Sequence, residues 1–353
     1  MFELQARKEA SRAMVWLTPV FAVALTMLAG LALFALLGKD PVEAVRLIFI
    51  QPFFDPYSRT ELLVKGTPLA LIAIGLSFGF RAGVWNIGAE GQFIIGALAA
   101  GMVALAFYET EGVWLLPLMA LAGAAGGAAW ALIPAILRIR FNANEILTSL
   151  MLVYVAELLL SALVSGPLRD PDGFNFPESR MFHDSATLPL LITGSRAHVG
   201  ALVALGVAAL GYILLQRHVF GFQIKLFGQA PRAARFAGFR EGRLVAACLG
   251  LSGALAGLAG MFDAAGPVGQ LVPGLPSGYG FTAIIVAFLG RLHPIGVVLA
   301  SGVMALTYIG GESAQIAMNL PAAAISVFQG MLLFFLLGVD ILVNFRIRRR
   351  GAA

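Results

Sequence analysis

Charge is scarce in this chain of 353 residues: Asp, Glu, Lys and Arg make up only 12% of it, while 59% is hydrophobic and the mean hydropathy is +0.88. Too few charged side chains are present to coat a water-soluble domain, so the composition calls for a bilayer. Cysteine is nearly absent. The one thiol, Cys248, lies in an apolar run, which excludes an intrachain disulfide and gives it a packing role. Four histidines, His183, His198, His218 and His293, are scattered without the spacing that would build a metal site on one helix. The few lysines, Lys8, Lys39, Lys65 and Lys225, never occur in a Gly-x-x-x-x-Gly-Lys-Ser/Thr setting, so the chain has no phosphate loop of its own. No catalytic constellation emerges, and any ATP that powers the protein is bound by another chain.

What remains is a succession of apolar runs. Measured against the roughly 20 residues that a spanning helix needs, charge-poor windows fall at 14–38, 66–80, 91–108, 112–137, 146–168, 197–216, 244–262, 264–290, 292–311 and 313–339. They predict an all-α, polytopic transmembrane bundle of about ten spans, forming one integral domain over 1–353. The first window follows Arg7, Lys8 and Arg12 and is too long for a signal-peptide core, so it reads as a retained anchor.

Positive residues fix the expected orientation. With ten spans and an internal N-terminus, the outer side holds only Lys39, Arg46, Arg59, Lys65, Arg169, Arg180 and Arg196 of the 24 Lys and Arg residues. Both termini are then cytoplasmic. The net charge of +5 comes from this inner collar, and because the basic residues are spread along membrane edges there is no support for a nucleic-acid partner. Two outer segments, 39–60 and 169–196, carry aromatics and prolines suited either to interfacial anchoring or to a small docking surface.

Two regions interrupt the helical pattern. Gly79 to Gln92 places Arg81, Asn86, Glu90 and Gln92 between apolar runs, and Gly266 to Gly280 holds Pro267, Pro273 and Pro276 among glycines. Irregular backbone at membrane depth survives only where protein or a water-filled cavity satisfies its polar groups, and such breaks mark substrate paths in transporters. Glu157 falls at the middle of the 146–168 window, where an acidic group costs about 2.5–3.5 kcal/mol on insertion scales. It is expected to pair, protonate or face water, either in a helix contact or along a path. Glu90 has two readings, as a lining group or as a first-turn residue favoured by the helix dipole. Asp263 and Asp340, near span ends, read as snorkelling or capping residues.

The longest polar interruption is basic: Gln216 to Arg243 presents Arg217, Lys225, Arg232, Arg235, Arg240 and Arg243. Inside it, Pro231 suits the first turn of a helix and Gly238 its end. The expected short helix projects Arg232, Arg235, Phe236 and Phe239, with Ala233, Ala234 and Ala237 as a small-residue surface. It suits either a protein partner or an anionic lipid surface.

Four segments together resemble a known family: Gly83-Val-Trp-Asn-Ile-Gly-Ala-Glu-Gly-Gln-Phe93, Asn144-Glu-Ile-Leu-Thr-Ser-Leu-Met-Leu-Val-Tyr154, Ala233-Ala-Arg-Phe-Ala-Gly238 and Gly280-Phe-Thr-Ala-Ile-Ile-Val-Ala-Phe-Leu-Gly290. They are similar to the inner-membrane permeases of bacterial ABC importers, the superfamily that takes ribose-type sugars and branched-chain amino acids, and within it to the nucleoside branch. The resemblance covers about 60–340 and departs from the family at Ala230, Val153 and Glu157. It implies a small polar solute, a nucleoside, as cargo, with Asn86, Glu90, Gln92, Tyr154, Glu157 and Phe281 as path candidates. It also implies two ABC ATPase subunits, a second homologous permease and an external binding lipoprotein. The loop 216–243 becomes the coupling loop, with Gly228, Pro231, Arg232, Ala233, Ala234, Arg235, Phe236 and Gly238 facing the ATPase. The alternatives are the same machine importing a simple sugar such as ribose, or a proton-driven carrier with Glu157 as relay.

Overall fold

The computed structural model describes residues 2–6 and 12–349, with side chains described over 17–339. Arg7, Lys8 and Arg350 lie outside the described residues, as does the side chain of Asp340. The chain divides into two compact units, residues 1–59 with 306–353, and residues 60–305.

The first unit brings together both ends of the chain. Strand β1 (Phe2–Ala6) pairs antiparallel with β2 (Phe345–Arg349), Phe2 standing opposite Arg349. Helix α1 (Arg12–Leu36) is followed by α2 (Pro41–Phe49) and α3 (Gln51–Phe54). Asp40 starts α2 by accepting the N–H groups of Val42 and Glu43 at 2.9 and 3.2 Å, with Pro41 in the first turn, where its missing N–H costs nothing. The far end of α13 (Pro294–Met318) and helix α14 (Ala322–Asn344) complete the unit. Its core holds Phe34, Ile48 and Phe328, the two phenylalanine rings stacked at 5.9 Å.

The second unit carries the rest: most of α4 (Pro56–Arg81), α5 (Ala89–Ala106), α6 (Leu115–Phe141), α7 (Glu145–Ser165), α8 (Gly200–Gln216), α9 (Val219–Gln229), α10 (Pro231–Phe236), α11 (Glu241–Asp263), α12 (Tyr279–Leu289) and the first part of α13. Helices α5, α6 and α11 meet backbone to backbone. A methyl group on Gly257 would stand 2.2 Å from the carbonyl oxygen of Gly123, and one on Gly127 would stand 2.2 Å from that of Gly253. Gly123 and Gly127 face Gly253 and Gly257 as two small-xxx-small pairs, the arrangement by which lipid-immersed helices gain van der Waals contact when no hydrophobic drive is available.

Among the described residues, eight helices are long and apolar enough to span a bilayer, and nine if α8 and α9, bent by 66°, count as one broken span. The apolar window 264–290 is not a single helix. It resolves into a π-turn at Ala264–Val268, an irregular stretch, and the short α12. The window 313–339 likewise contains the end of α13 and a break before α14. The segment 39–60 is largely helical, since α2, α3 and the start of α4 occupy it.

Candidate functional site

The first irregular segment, 82–88, joins α4 to α5 and is closed by side chains. The buried Asn86 donates from Nδ2 to Gln92 Oε1 at 2.8 Å and to Ser252 Oγ at 3.0 Å, while Gln92 returns a bond to Asn86 Oδ1 at 3.0 Å. Asn86 Oδ1 also accepts the N–H of Gly88 at 3.1 Å, and Ser149 Oγ accepts that of Ile87 at 3.2 Å. The N–H groups of Ile87 and Gly88, freed by the missing helical turn, are thus met by α7 and by Asn86, itself held by α5 and α11, which avoids a cost of about 1–3 kcal/mol for each orphan.

The second irregular segment follows α11. Past the π-turn, Gly269 and Gly278 adopt φ of +75°, and α12 begins at Tyr279. The loop between α7 and α8 runs alongside: the N–H of Ser179 donates to Leu271 O at 2.9 Å, that of Phe182 to Gly269 O at 2.7 Å, and that of Leu188 to Ala265 O at 2.8 Å. Glu90 ties the two irregular segments together. It occupies the first turn of α5, and its carboxylate accepts the N–H groups of Gly278, at 2.8 Å, and Gly280. Both readings of Glu90 are therefore modified by a partner 188 residues along the chain.

The path candidates fall into two groups. Asn86, Glu90 and Gln92 share this buried polar junction. Tyr154, 57% exposed, and the half-buried Glu157 lie on α7, and Phe281, 39% exposed, on α12.

Of three ionisable residues that the apolar windows passed over, Glu61 and Asp263 are buried and Lys65 is half-buried. Glu61 is 1% exposed and holds Arg196 in a fork, Nε to Oε1 at 2.9 Å and Nη2 to Oε2 at 2.6 Å. Lys65, one helical turn further along α4, lies with its ammonium 5.7 Å from the centre of the Tyr279 ring. Asp263 is 7% exposed at the end of α11, so it neither snorkels nor caps at a surface. The signal that could have found the first two is their i, i+4 spacing on a continuous helix. Among the described residues, no three His, Cys, Asp or Glu side chains gather as metal ligands would.

The basic loop forms α9 and α10. Pro231 opens α10, and Gly238, at φ +82°, ends it, with the N–H of Phe239 donating to Ala234 O at 3.1 Å. Arg232, Ala233, Arg235 and Phe236 are exposed, Phe236 to 92%. Ala234 is a correction to the expected small-residue face: it is fully buried, because one turn of a six-residue helix must rest on the body of the unit. Phe239 is likewise half-buried and lines, with Phe220, Phe227, Arg240 and Arg243, a groove of about 360 Å³. Arg235 pairs with Glu241 at 3.0 Å. Gly228, on α9, sits against the end of α4, where an added methyl would stand 2.0 Å from the carbonyl oxygen of Arg81.

The family model described as the branched-chain amino acid transport system permease component matches residues 58–337. The chain belongs to this permease family. The permease is 36% identical to the glucose ABC transporter permease protein TsgB13 of Haloferax volcanii, over 98% of this chain and 93% of that protein. It is 31% identical to the guanosine ABC transporter permease protein NupP of Bacillus subtilis, over 90% and 92% of the two chains. With the nucleoside ABC transporter permease protein NupB of Lactococcus lactis the identity is 25%, over 91% and 90%. No solved structure matches the permease. The relatives make it a multi-pass transport component, and its apolar helices agree.

Proposed function

We propose that this permease forms half of the translocation path of an ATP-driven nucleoside importer, paired with a second homologous permease, two cytoplasmic ATPase subunits and an external binding lipoprotein. It lies in the inner membrane with both termini cytoplasmic. The observation that carries this reading is the family match over 58–337, which takes in both irregular segments and the α9–α10 element. The guanosine and nucleoside permeases among its relatives support the cargo.

The chain contributes two things to such a cycle. Helix α10 offers an exposed aromatic ring between arginines, a shape that fits a groove on an ATPase. Closure of the ATPase pair on ATP would stabilise one of two arrangements of the permease, and only a difference in stabilisation between them can move cargo. Gly228 would pass that displacement to Arg81 and on to the irregular segment that follows it. A nucleoside needs a flat apolar wall for its base and a few hydrogen-bonding groups for its sugar, and the aromatic and polar residues around the second irregular segment suit both.

A second reading, import of a simple sugar, is favoured by the 36% identity to a glucose permease. Uptake of labelled guanosine, uridine and glucose by cells with and without this gene, with and without ATP depletion, decides between them. Loss of ATP-dependent nucleoside uptake supports the proposal, and loss of glucose uptake alone moves the cargo to sugars. Phe236→Asp is expected to leave the permease in the membrane while cargo no longer stimulates ATP hydrolysis. Unchanged stimulation would overturn the docking role of α10.

A further inference from the structure

Helices α8 and α13 leave an open apolar trough of about 430 Å³ between them. Its walls include Leu205, Ala208 and Ala209 on α8 and Ile295, Val298 and Leu299 on α13, and Leu205, Ile295 and Leu299 stay more than half exposed. From Leu205 to Tyr212 the trough follows roughly 10 Å of helix. The hydrocarbon of any lipid would fill this part equally well.

The polar end of the trough is what discriminates. Tyr212 lines the trough and meets the ring of His293 edge-on at 5.6 Å, and among the described residues no hydrogen bond engages its hydroxyl. A methyl group on the neighbouring Gly211 would stand 3.2 Å from Ile74 and 3.6 Å from Pro294, so α4, α8 and α13 converge here. Just beyond that contact each helix carries a cation: Arg81 closes α4, Arg217 caps α8, and Arg291 precedes α13. The same helices offer no acid in return. Residues 62–89, 185–240 and 264–311 contain neither Asp nor Glu, and Arg81 and Arg217 form no ion pair among the described residues. Depth is set by α9, which bends 66° from α8 just after Arg217 and exposes Val219 and Phe222 beside Lys225, the composition of a helix lying in the headgroup layer.

We propose that the trough and its cationic end bind one anionic phospholipid. Its acyl chain lies between α8 and α13, the Tyr212 hydroxyl donates to an oxygen of its headgroup, and the arginines at the helix ends supply the charge, as basic pockets between spans do for anionic headgroups. A helix of a second permease would fill the trough and leave the arginines without an anion. A free phosphate would meet the arginines and leave the trough open. A phospholipid satisfies both, and the site is independent of what the permease carries.

The complete transporter, purified in detergent, is titrated with dioleoylphosphatidylglycerol or dioleoylphosphatidylcholine, and retained lipids are counted by native mass spectrometry. Ala209→Trp plugs the trough at an exposed position, so the lipid lost on that substitution is the one at this site. The site is expected to take phosphatidylglycerol about tenfold more tightly than phosphatidylcholine, from two or more cations near the phosphate, and Arg217→Gln is expected to cut that preference about fivefold. A plugged variant that retains as many lipids as the wild type overturns the proposal, as does a site that treats the two lipids alike. If Ala209→Trp lowers the melting temperature of the transporter, Leu299→Trp on the opposite wall is read in its place. Inorganic phosphate that binds as tightly as the lipid, untouched by the plug, would reveal an anion site without a trough. A disulfide-linked pair of permeases formed in the membrane through Ala209→Cys would give the trough to a second permease. Either result overturns the lipid site.

Discussion

The two irregular segments of the second unit solve the same problem in different ways. Residues 82–88 are short, and their polar groups are closed by Asn86, Gln92, Ser149 and Ser252, which come from the segment itself and from three surrounding helices. Residues 264–278 are longer, contain prolines and two left-handed glycines, and are held by the carboxylates of Glu90 and Glu178, by the Ser179 hydroxyl and by backbone bonds to the loop between α7 and α8. The first is a brace and the second a joint. A transporter needs both, since a path that opens on alternate sides requires a fixed element against which another moves.

The strongest way to break this contrast is to push on the brace from outside. Gly228→Val forces a branched side chain into the carbonyl of Arg81 and is expected to cost at least about 4 kcal/mol, enough to remove the permease from the membrane in an abundance assay. Asn86→Leu would loosen the brace from within, leaving the Gln92 amide and the Gly88 N–H without partners. A loss on the order of 3 kcal/mol is expected, read as a lower melting temperature of the detergent-solubilised protein. Glu90→Gln acts on the joint instead, replacing a charged acceptor by a neutral one. Its expected cost of about 1–3 kcal/mol is smaller, but transport should fall further than stability does, and a parallel fall would contradict the distinction. Arg235→Ala touches neither segment. Its exposed pair with Glu241 contributes less than about 1 kcal/mol, so the melting temperature should hold while cargo-stimulated ATP hydrolysis changes.

How far each feature could be read from the sequence follows from the range of the interactions that make it. Helix α10 was legible to the residue because Pro231 and Gly238 act within one turn, whereas the inward face of Ala234 depends on what lies beneath it. Both breaks were visible as clusters of glycine, proline and polar residues, but the bond that joins them spans most of the chain. The interior charges were hidden for another reason. Searching for charge-free windows cuts α4 short at 66, although the helix begins at Pro56, and so assigns Glu61 and Lys65 to a loop. A criterion built on the cost of buried charge discards the residues for which that cost is borne. The α5, α6 and α11 contact was written in the sequence as two glycine pairs at four-residue spacing, though nothing local says which helices they join.

The contact between Gly228 and the Arg81 carbonyl bears on how motion could be delivered. Side chains have rotamers, and a push transmitted through them is partly spent on rearranging them. Here no side chain intervenes: main chain rests on main chain, and the only freedom left is that of the two helices as bodies. Such a joint has almost no compliance, so a small displacement of the basic loop would arrive at the end of α4 with its amplitude and direction preserved, and at the cost that even one added methyl would jam it.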